Sequence, residues 1–267
     1  MNKTPNVLQV VNILAIVITI IVNAIAEIIP VNGVTSKEVS DAYPSLFTPP
    51  GYVFSIWSVI YTLLIVFMIY QVLPSQREAD FLKQTAIFFI LGGLINTSWL
   101  ILFHYSFGQP GIYVFTPILI GLFLVLMLYT YVKLEIGVVK VPIRQKIAVH
   151  LPISVYAGWV SLAVIANIAS VLNVIIPGIP MPIQELWTAL VIIVALIITI
   201  LMLVIRRDVA YGLVVVWATT GIASNQSAIP IIYFTAMGSA LIIILAILLL
   251  PLITGQGLGK FYLRNEE

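Results

Sequence analysis

Long apolar stretches, separated by short segments that hold most of the prolines and charges, constrain the fold of this chain more than any other feature. A helix that crosses a bilayer needs about 20 apolar residues, and eight stretches approach that length. Charged residues make up only 8% of the chain, against roughly 25% in a soluble domain. We therefore predict an all-α integral membrane protein with eight spans. The predicted spans are residues 7–29, 51–73, 84–106, 111–134, 147–173, 183–205, 209–226 and 229–254.

The distribution of basic residues predicts the orientation of these spans. When the N-terminus is placed inside the cell, Lys37 is the only one of the 12 lysines and arginines that falls in an outer segment. Cytoplasmic segments of membrane proteins carry an excess of Lys and Arg. We therefore expect a multi-pass protein of the plasma membrane, with the lipid bilayer as its surroundings and both termini in the cytoplasm.

A signal peptide is an alternative interpretation of the first span. Lys3 precedes an apolar run that reaches Ala24-Ile25-Ala26, a pattern that resembles a cleavage site. The run before Ala24 has about 17 residues, whereas the apolar region of a signal peptide has roughly 7–15. Cleavage would leave seven spans, and the length of the run favours a spanning helix.

The composition also excludes several classes of function. The chain has no cysteine, which excludes disulfides, thiolate nucleophiles and iron–sulfur ligation. The net charge of +2 and the absence of an RNA-binding motif exclude nucleic acid as an expected partner. No phosphate-binding loop, zinc spacing or Ser/His/Asp arrangement supports an enzyme, so we expect neither a metal nor a required cofactor.

An aromatic segment follows a proline pair at the start of the second span. Because proline lacks an amide hydrogen and suits a helix entrance, Pro49-Pro50 is predicted to fix where this helix begins. Its first two turns carry Tyr52, Phe54, Trp57 and Tyr61. Trp57 and Tyr61 are four residues apart and share one helix face. A flat apolar ligand could stack on this aromatic wall, or the wall could lie in a headgroup belt.

The fifth and third spans carry related patterns. Trp159, Ala163 and Asn167 recur at intervals of four, and Tyr156 lies three residues before Trp159, so all four line one helix stripe. A small residue between an aromatic ring and an amide forms a concavity that suits a planar ligand, or else allows close helix packing. In the third span, Asn96 and Trp99 share a face, and an amide in hydrocarbon needs a partner.

Three segments together resemble the TspO/MBR family, the tryptophan-rich sensory proteins that include the mitochondrial translocator protein. The family pattern reads P-P-x-W-x-F-x-x-x-W-x-x-L-Y, then N-x-x-W-x-x-L-F, then P-Y-L-x-W-x-x-F-A-x-x-L-N. Its counterparts here are Pro49-Pro50-Gly51-Tyr52-Val53-Phe54 with Trp57 and Tyr61, Asn96-Thr97-Ser98-Trp99-Leu100-Ile101-Leu102-Phe103, and Tyr156-Ala157-Gly158-Trp159-Val160-Ser161-Leu162-Ala163 followed by Asn167.

The resemblance implies a fold and a ligand. It implies a TspO-like five-helix bundle over residues 1–173, followed by a C-terminal extension over 174–267 with three further transmembrane helices. It also implies a pocket under the loop between helices one and two for a planar apolar small molecule, a porphyrin or haem-like tetrapyrrole in particular. Family members form homodimers through helix three, so a homodimer is expected here. The implied ligand-binding residues are Pro49, Pro50, Tyr52, Phe54, Trp57, Tyr61, Asn96, Trp99, Phe103, Tyr156, Trp159, Ala163 and Asn167.

The sequence departs from the family pattern at several positions. Tyr52 replaces the first family tryptophan, Val155 replaces the proline before Tyr156, and Leu162 replaces a phenylalanine. No tyrosine followed by Lys or Arg comes after Asn167, and the proposed cholesterol motif needs that pair. Sterol transport is therefore poorly supported.

Two other functions remain open at this stage. Glu27 is the only carboxylate expected inside a span, and a proton-coupled secondary transporter would need such a group. Some bacterial family members degrade protoporphyrin in light, which would make the protein an enzyme. In the extension, Trp217, Gly221 and Asn225 repeat the spacing of Trp159, Ala163 and Asn167, through either chance or an internal repeat.

Overall fold

The computed structural model describes residues 6–263, which form α-helices and short turns and contain no β-strand. Seven helices in this range are long and apolar enough to cross a bilayer, and an eighth apolar helix is shorter. These findings establish an all-α integral membrane protein. In chain order the helices are α1 Val7–Ile28, α2 Gly51–Gln71, α3 Asp80–Tyr105, α4 Pro110–Lys133, α5 Ile143–Ile175, α6 Met181–Arg206, α7 Val209–Asn225 and α8 Pro230–Ile253.

The short helix α7 lies where the seventh span was predicted. Its 17 residues would rise about 26 Å, less than the roughly 30 Å of a hydrocarbon core. Neighbouring helices bury part of its surface, including Val214, Val215, Ala218 and Ile222. The eight-span count and the location of the termini therefore stay predictions.

Two helices begin earlier than their apolar stretches predicted. Helix α3 begins at Asp80 rather than at residue 84, and α5 begins at Ile143 rather than at residue 147. Their first turns are polar, so hydropathy alone leaves them outside the membrane segment. Both contain a π-helical turn, at Phe88–Gly92 and at Lys146–His150. A π turn inserts one residue and shifts the faces that follow it.

Buried amides join α1 to the end of α2. The Gln9 side chain donates to the carbonyl of Gln71, and Asn12 Nδ2 donates to Gln71 Oε1 at 3.2 Å. Further along, a Cβ on Gly93 of α3 would lie 2.8 Å from Thr19 Oγ1, so this glycine allows α3 to approach α1 closely. Helix α1 is thus fixed against α2 by polar bonds and packs closely against α3 at Gly93.

Helix α5 occupies the centre of the structure. It packs against α2, α4 and α7, while α7 in turn packs against α8. The contact with α7 is close at Gly158, where a Cβ would lie 3.2 Å from the Cβ of Val214. The C-terminal helices are therefore joined to the N-terminal ones through the α5–α7 contact.

The loop between α1 and α2 folds back over the ends of α3 and α5. It contains a loop helix, Ser36–Ala42, whose entrance is closed by a capping box between Thr35 and Glu38. The Tyr43 ring stacks on Tyr113 at a centroid distance of 3.8 Å, and the Tyr43 hydroxyl donates to Ser106 O at 2.5 Å. These contacts fix the loop as a cover over one end of the helices.

Candidate functional site

A cavity of about 100 Å³ lies beneath this loop, between α2, α3, α5 and α7. Aromatic side chains line it toward the membrane interior, and small polar side chains line it beneath the loop. Among the described lining residues none is charged. The aromatic lining residues are Phe47, Phe54, Trp57, Tyr61, Trp99, Phe103, Tyr113 and Trp159, and the polar ones besides tyrosine and tryptophan are Asn23, Ser36, Ser40, Thr48, Asn167 and Ser170.

The aromatic rings contact one another both edge to face and in stacked pairs. Trp57 lies 6.0 Å from Trp159 between ring centroids at an interplanar angle of 84°, and 5.8 Å from Tyr61 in a stacked arrangement. Phe54 meets Trp159 edge-on at 5.9 Å, and Trp99 stacks on Phe103 at 5.0 Å. Such contacts add about 0.5–1.5 kcal/mol per pair beyond area burial and hold the rings in fixed orientations.

Two indole groups in this wall carry buried donors. Neither Trp99 Nε1 nor Trp159 Nε1 has a hydrogen-bond acceptor among the described residues. Asn96 Nδ2, beside a smaller void that also touches Trp57 and Trp99, is likewise without an acceptor there. A buried donor without a partner costs about 1–3 kcal/mol. An acceptor within hydrogen-bonding distance of these atoms would remove this cost.

Nine of the thirteen predicted site residues line the cavity. Of the other four, Pro50 lines a groove outside the cavity, and Tyr52 is 54% exposed with its ring edge against Trp217. Asn96 borders the smaller void, and Tyr156 is buried behind Trp57 at 5.9 Å. The residues that line the cavity are Pro49, Phe54, Trp57, Tyr61, Trp99, Phe103, Trp159, Ala163 and Asn167.

Other lining residues were not predicted from the sequence. Tyr113 enters from the start of α4, and Ala218 and Ile222 enter from α7. On α5, Ala166 and Ser170 continue the small-residue stripe of Ala163 at helical spacing, a signal that could have been found. No local pattern marks Ala218 or Ile222, because only the packing of α7 against α5 brings them to the cavity.

Asn167 closes one side of the cavity through a buried hydrogen-bond network. Its Nδ2 donates to the Tyr113 hydroxyl at 3.1 Å, and its Oδ1 accepts from Thr116 Oγ1 at 3.0 Å. Because Tyr113 also stacks on Tyr43, the network connects α5 to the loop through α4. The amide therefore has partners within the protein, while it also lines the cavity.

A wider groove of about 870 Å³ lies on the outer side of the loop. It runs between the loop and the facing ends of α5, α6 and α7. Ser40, Thr48, Pro49 and Ser170 line both the groove and the cavity, so they form the partition between the two.

Three side chains fasten residues 44–53 to the neighbouring helices; this segment, called the partition strand, is irregular up to Pro50 and is not a β-strand. Asn173 Nδ2 donates to Pro44 O at 3.0 Å, and Asn225 Nδ2 donates to Thr48 O at 2.9 Å. Trp217 Nε1 donates to Val53 O at 3.0 Å. Gly221 lies between these α7 contacts, and a Cβ there would be 2.4 Å from Val53 Cγ2. The Trp217–Gly221–Asn225 series therefore contacts the strand that covers the cavity.

Replacing Trp217 with phenylalanine is expected to loosen this strand. The change removes the hydrogen bond to Val53 O and should lower the free energy of unfolding by about 1 kcal/mol. Hydrogen exchange should rise in residues 44–53, measured on the full chain by mass spectrometry. Trp187, on α6 and 49% exposed, offers a matched control, since Trp187→Phe should leave exchange in this strand unchanged. Equal exchange in both variants would show that α7 does not hold the strand.

Two ionisable groups of the loop are shifted by its structure. The pKa of the Glu38 carboxyl is lowered, chiefly because it accepts the backbone N–H of Thr35. Burial raises the pKa of the Tyr43 hydroxyl. Neither Glu38 nor Tyr43 lines the cavity, so neither side chain places a charge on the cavity surface.

These features define a class: a multi-pass helical membrane protein with an uncharged aromatic cavity beneath a loop. The sequence model of the family described as TSPO-like protein matches residues 9–249. The chain therefore belongs to this TSPO-like family, as the three motifs predicted. A comparison with curated proteins found no match, and a comparison with solved structures found none either.

The family match runs across residue 173, where the predicted five-helix unit ends. Helices α6 and α7 lie wholly inside the matched region, and α8 lies mostly inside it. The division into residues 1–173 and 174–267 stays a prediction. Glu27, the carboxylate on which a transport mechanism would depend, has a side chain outside the described part of the structure.

Proposed function

We propose that this TSPO-like protein is a membrane sensor that binds a planar apolar ligand in the aromatic cavity. The observation that carries the proposal is the pair of buried indole donors, on Trp99 and Trp159, in a wall of aromatic rings. An acceptor oxygen or nitrogen on the ligand would satisfy these donors, while its flat surface stacks on the rings. A porphyrin-type tetrapyrrole, the ligand class that the family resemblance suggests, has both properties.

The size of the cavity requires the loop to move when such a ligand binds. The cavity holds about 100 Å³. Small-molecule sites have about 300–1,000 Å³. Outward movement of the partition strand would join the cavity to the groove of about 870 Å³. Displacement of the loop would then be the signal that reports ligand occupancy.

The same proposal includes an orientation in the plasma membrane. With both termini in the cytoplasm, the loop and the groove face outward, and Lys37 is in that outer loop. Lys37 forms an ion pair with Asp41 at the edge of the groove. Carboxylate groups of a tetrapyrrole could extend from the uncharged cavity toward this lysine.

Fluorescence quenching by protoporphyrin IX tests the proposal. The purified protein should show saturable quenching of tryptophan emission, and Trp57→Phe combined with Trp159→Phe should raise the dissociation constant about tenfold, or about 1.4 kcal/mol. The midpoint of the titration is compared rather than the amplitude, because the variant retains other tryptophans. Trp187→Phe serves as the control and should leave the midpoint unchanged. An unchanged midpoint in the double variant would rule out this cavity as the site.

Two further assays on the same protein distinguish binding alone from catalysis and from transport. A light-dependent loss of porphyrin absorbance that disappears without Trp57 or Trp159 would favour a porphyrin-degrading enzyme. Gradient-dependent accumulation of ligand in vesicles, reduced by Glu27→Gln, would favour a secondary transporter. Saturable binding without either effect is what the sensor proposal predicts.

A further inference from the structure

We propose that the protein has a second site, which binds the phosphate headgroup of an anionic phospholipid at the other end of α5. The site is a cavity of about 250 Å³ between the first turns of α5, the α6–α7 junction and the C-terminal helix Leu258–Leu263. It is separate from the aromatic cavity and shares no lining residue with it.

Positive charge is concentrated in this second cavity. Lys146 lines it from α5, and Arg206 and Arg207 line it from the end of α6 and the turn that follows. Asp208 is the one carboxylate among its described lining residues, so cations outnumber carboxylates three to one. Arginine presents several N–H donors in a planar fork, which suits the oxygens of a phosphate.

The carboxylate of Asp208 is engaged in bonds to the helices. Its Oδ2 accepts from the Tyr131 hydroxyl at 2.7 Å, and its Oδ1 accepts from the backbone N–H of Tyr211 at 3.1 Å. The residue is 6% exposed. Asp208 thus holds α4 and the start of α7 in place.

Backbone carbonyls hold the three cations near the cavity. Arg206 Nη1 donates to Ile136 O at 3.5 Å, and Arg207 Nη1 donates to Phe261 O at 3.4 Å. The Lys146 ammonium group donates to the carbonyl of Tyr262. Long side chains lose rotamer entropy when they are ordered, and these bonds have already ordered them. A phosphate could therefore bind to a largely prepared set of donors.

The apolar part of the cavity favours a lipid over a free anion. Ile143, Ile147, Leu151 and Leu213 line it beside the cations. Ile147 is 48% exposed and Leu213 is 53% exposed, on helices that cross or enter the bilayer. An acyl chain could lie on these side chains while the headgroup meets the cations. Basic pockets between transmembrane helices on the cytoplasmic side are suited to anionic headgroups.

Lipid competition in nanodiscs tests this site. The full-length protein is placed in equal parts of phosphatidylglycerol and phosphatidylcholine, and the lipids that stay bound are measured by native mass spectrometry. We expect phosphatidylglycerol to be enriched, and Arg207→Gln and Lys146→Gln each to reduce the enrichment about fivefold. Lys133→Gln makes the same charge change at the end of α4, outside the cavity, and should retain the enrichment.

Several outcomes would overturn the proposal. Equal retention of the two lipids would do so, and so would an equal loss of enrichment in Lys133→Gln, because that result indicates a diffuse surface charge. Saturable binding of inorganic phosphate without enrichment of phosphatidylglycerol would assign the cavity to a free anion instead. Thermal unfolding of each variant identifies any that fails to fold, and Arg206→Gln then provides a further variant of the same cavity.

Discussion

Replacing Gly137 with alanine is expected to lower the free energy of unfolding by roughly 4 kcal/mol, the largest effect of any substitution considered for this chain. Gly137 lies between α4 and α5 with a φ of 77°, in the left-handed region. A Cβ there would lie 1.7 Å from the carbonyl oxygen of Arg206. Because that oxygen belongs to the backbone, no rotamer change relieves the collision, and the segment must move away from α6.

The conformational and steric parts of this effect can be separated with a second glycine. Gly108 has a φ of 69°, yet a Cβ there would meet no atom within 4 Å. Gly108→Ala should therefore lower the free energy of unfolding by only about 1 kcal/mol. Circular dichroism during unfolding in SDS measures both variants. Equal losses would mean that the contact with Arg206 is not rigid.

Replacing Asp208 with alanine should give the second-largest loss, roughly 3 kcal/mol. The substitution removes the side-chain cap of α7, since Asp208 Oδ1 accepts the Tyr211 N–H. It also removes the acceptor of the Tyr131 hydroxyl, which donates to Asp208 Oδ2 at 2.7 Å. Tyr131 is 2% exposed, so water cannot readily replace this acceptor. Both lost bonds leave a buried donor without its partner. The midpoint of thermal unfolding in nanodiscs measures the change.

Two further variants divide the contributions of this carboxylate. Asp208→Asn keeps an oxygen that caps α7, and its amide can donate to the Tyr131 hydroxyl, so a loss of about 1 kcal/mol or less is expected. Tyr131→Phe removes only the hydroxyl. If Asp208→Ala and Tyr131→Phe are combined, their losses should not add, because they break the same bond. Additive losses would contradict the geometry given for Asp208.

The position of α7 links the fold to the proposed sensing function. Trp217 and Asn225 bind backbone carbonyls of the strand that covers the aromatic cavity, and Ala218 and Ile222 line that cavity. A ligand that displaces the strand must break bonds to α7. Helix α7 therefore has a specific role in the proposed mechanism, which the spacing of Trp217, Gly221 and Asn225 by itself did not indicate.

Much of the architecture could be predicted because the bilayer imposes a simple rule. Every backbone polar group in hydrocarbon must be satisfied within the segment, so long apolar stretches become helices. The helical segment of α2 begins at Gly51, immediately after Pro50, as the proline pair predicted. The first turns of α3 and α5, which begin at Asp80 and Ile143, were not predicted. Those turns are polar, and hydropathy identifies only the part of a helix that lies in lipid.

The site was predicted in part for a related reason. Trp57, Tyr61, Trp159, Ala163 and Asn167 lie on faces fixed by helical periodicity, and each lines the cavity. Tyr52 belongs to a 3₁₀ turn, Gly51–Ser55, ahead of the regular helix. The family resemblance implied a place for Tyr52 in the binding site, whereas the structure places its ring against Trp217.

Composition and periodicity were enough to predict the class of protein, the positions of the apolar helices, and the aromatic faces of α2, α3 and α5. Both signals can be read from a single stretch of sequence, without knowledge of how the helices pack. The folded structure was needed to place α7 beside the cavity, to join Asn167 to the loop through Tyr113, and to bring Lys146, Arg206 and Arg207 to one second cavity. Those contacts join residues far apart in the chain, and helix packing selects them by shape and burial, which no local pattern records.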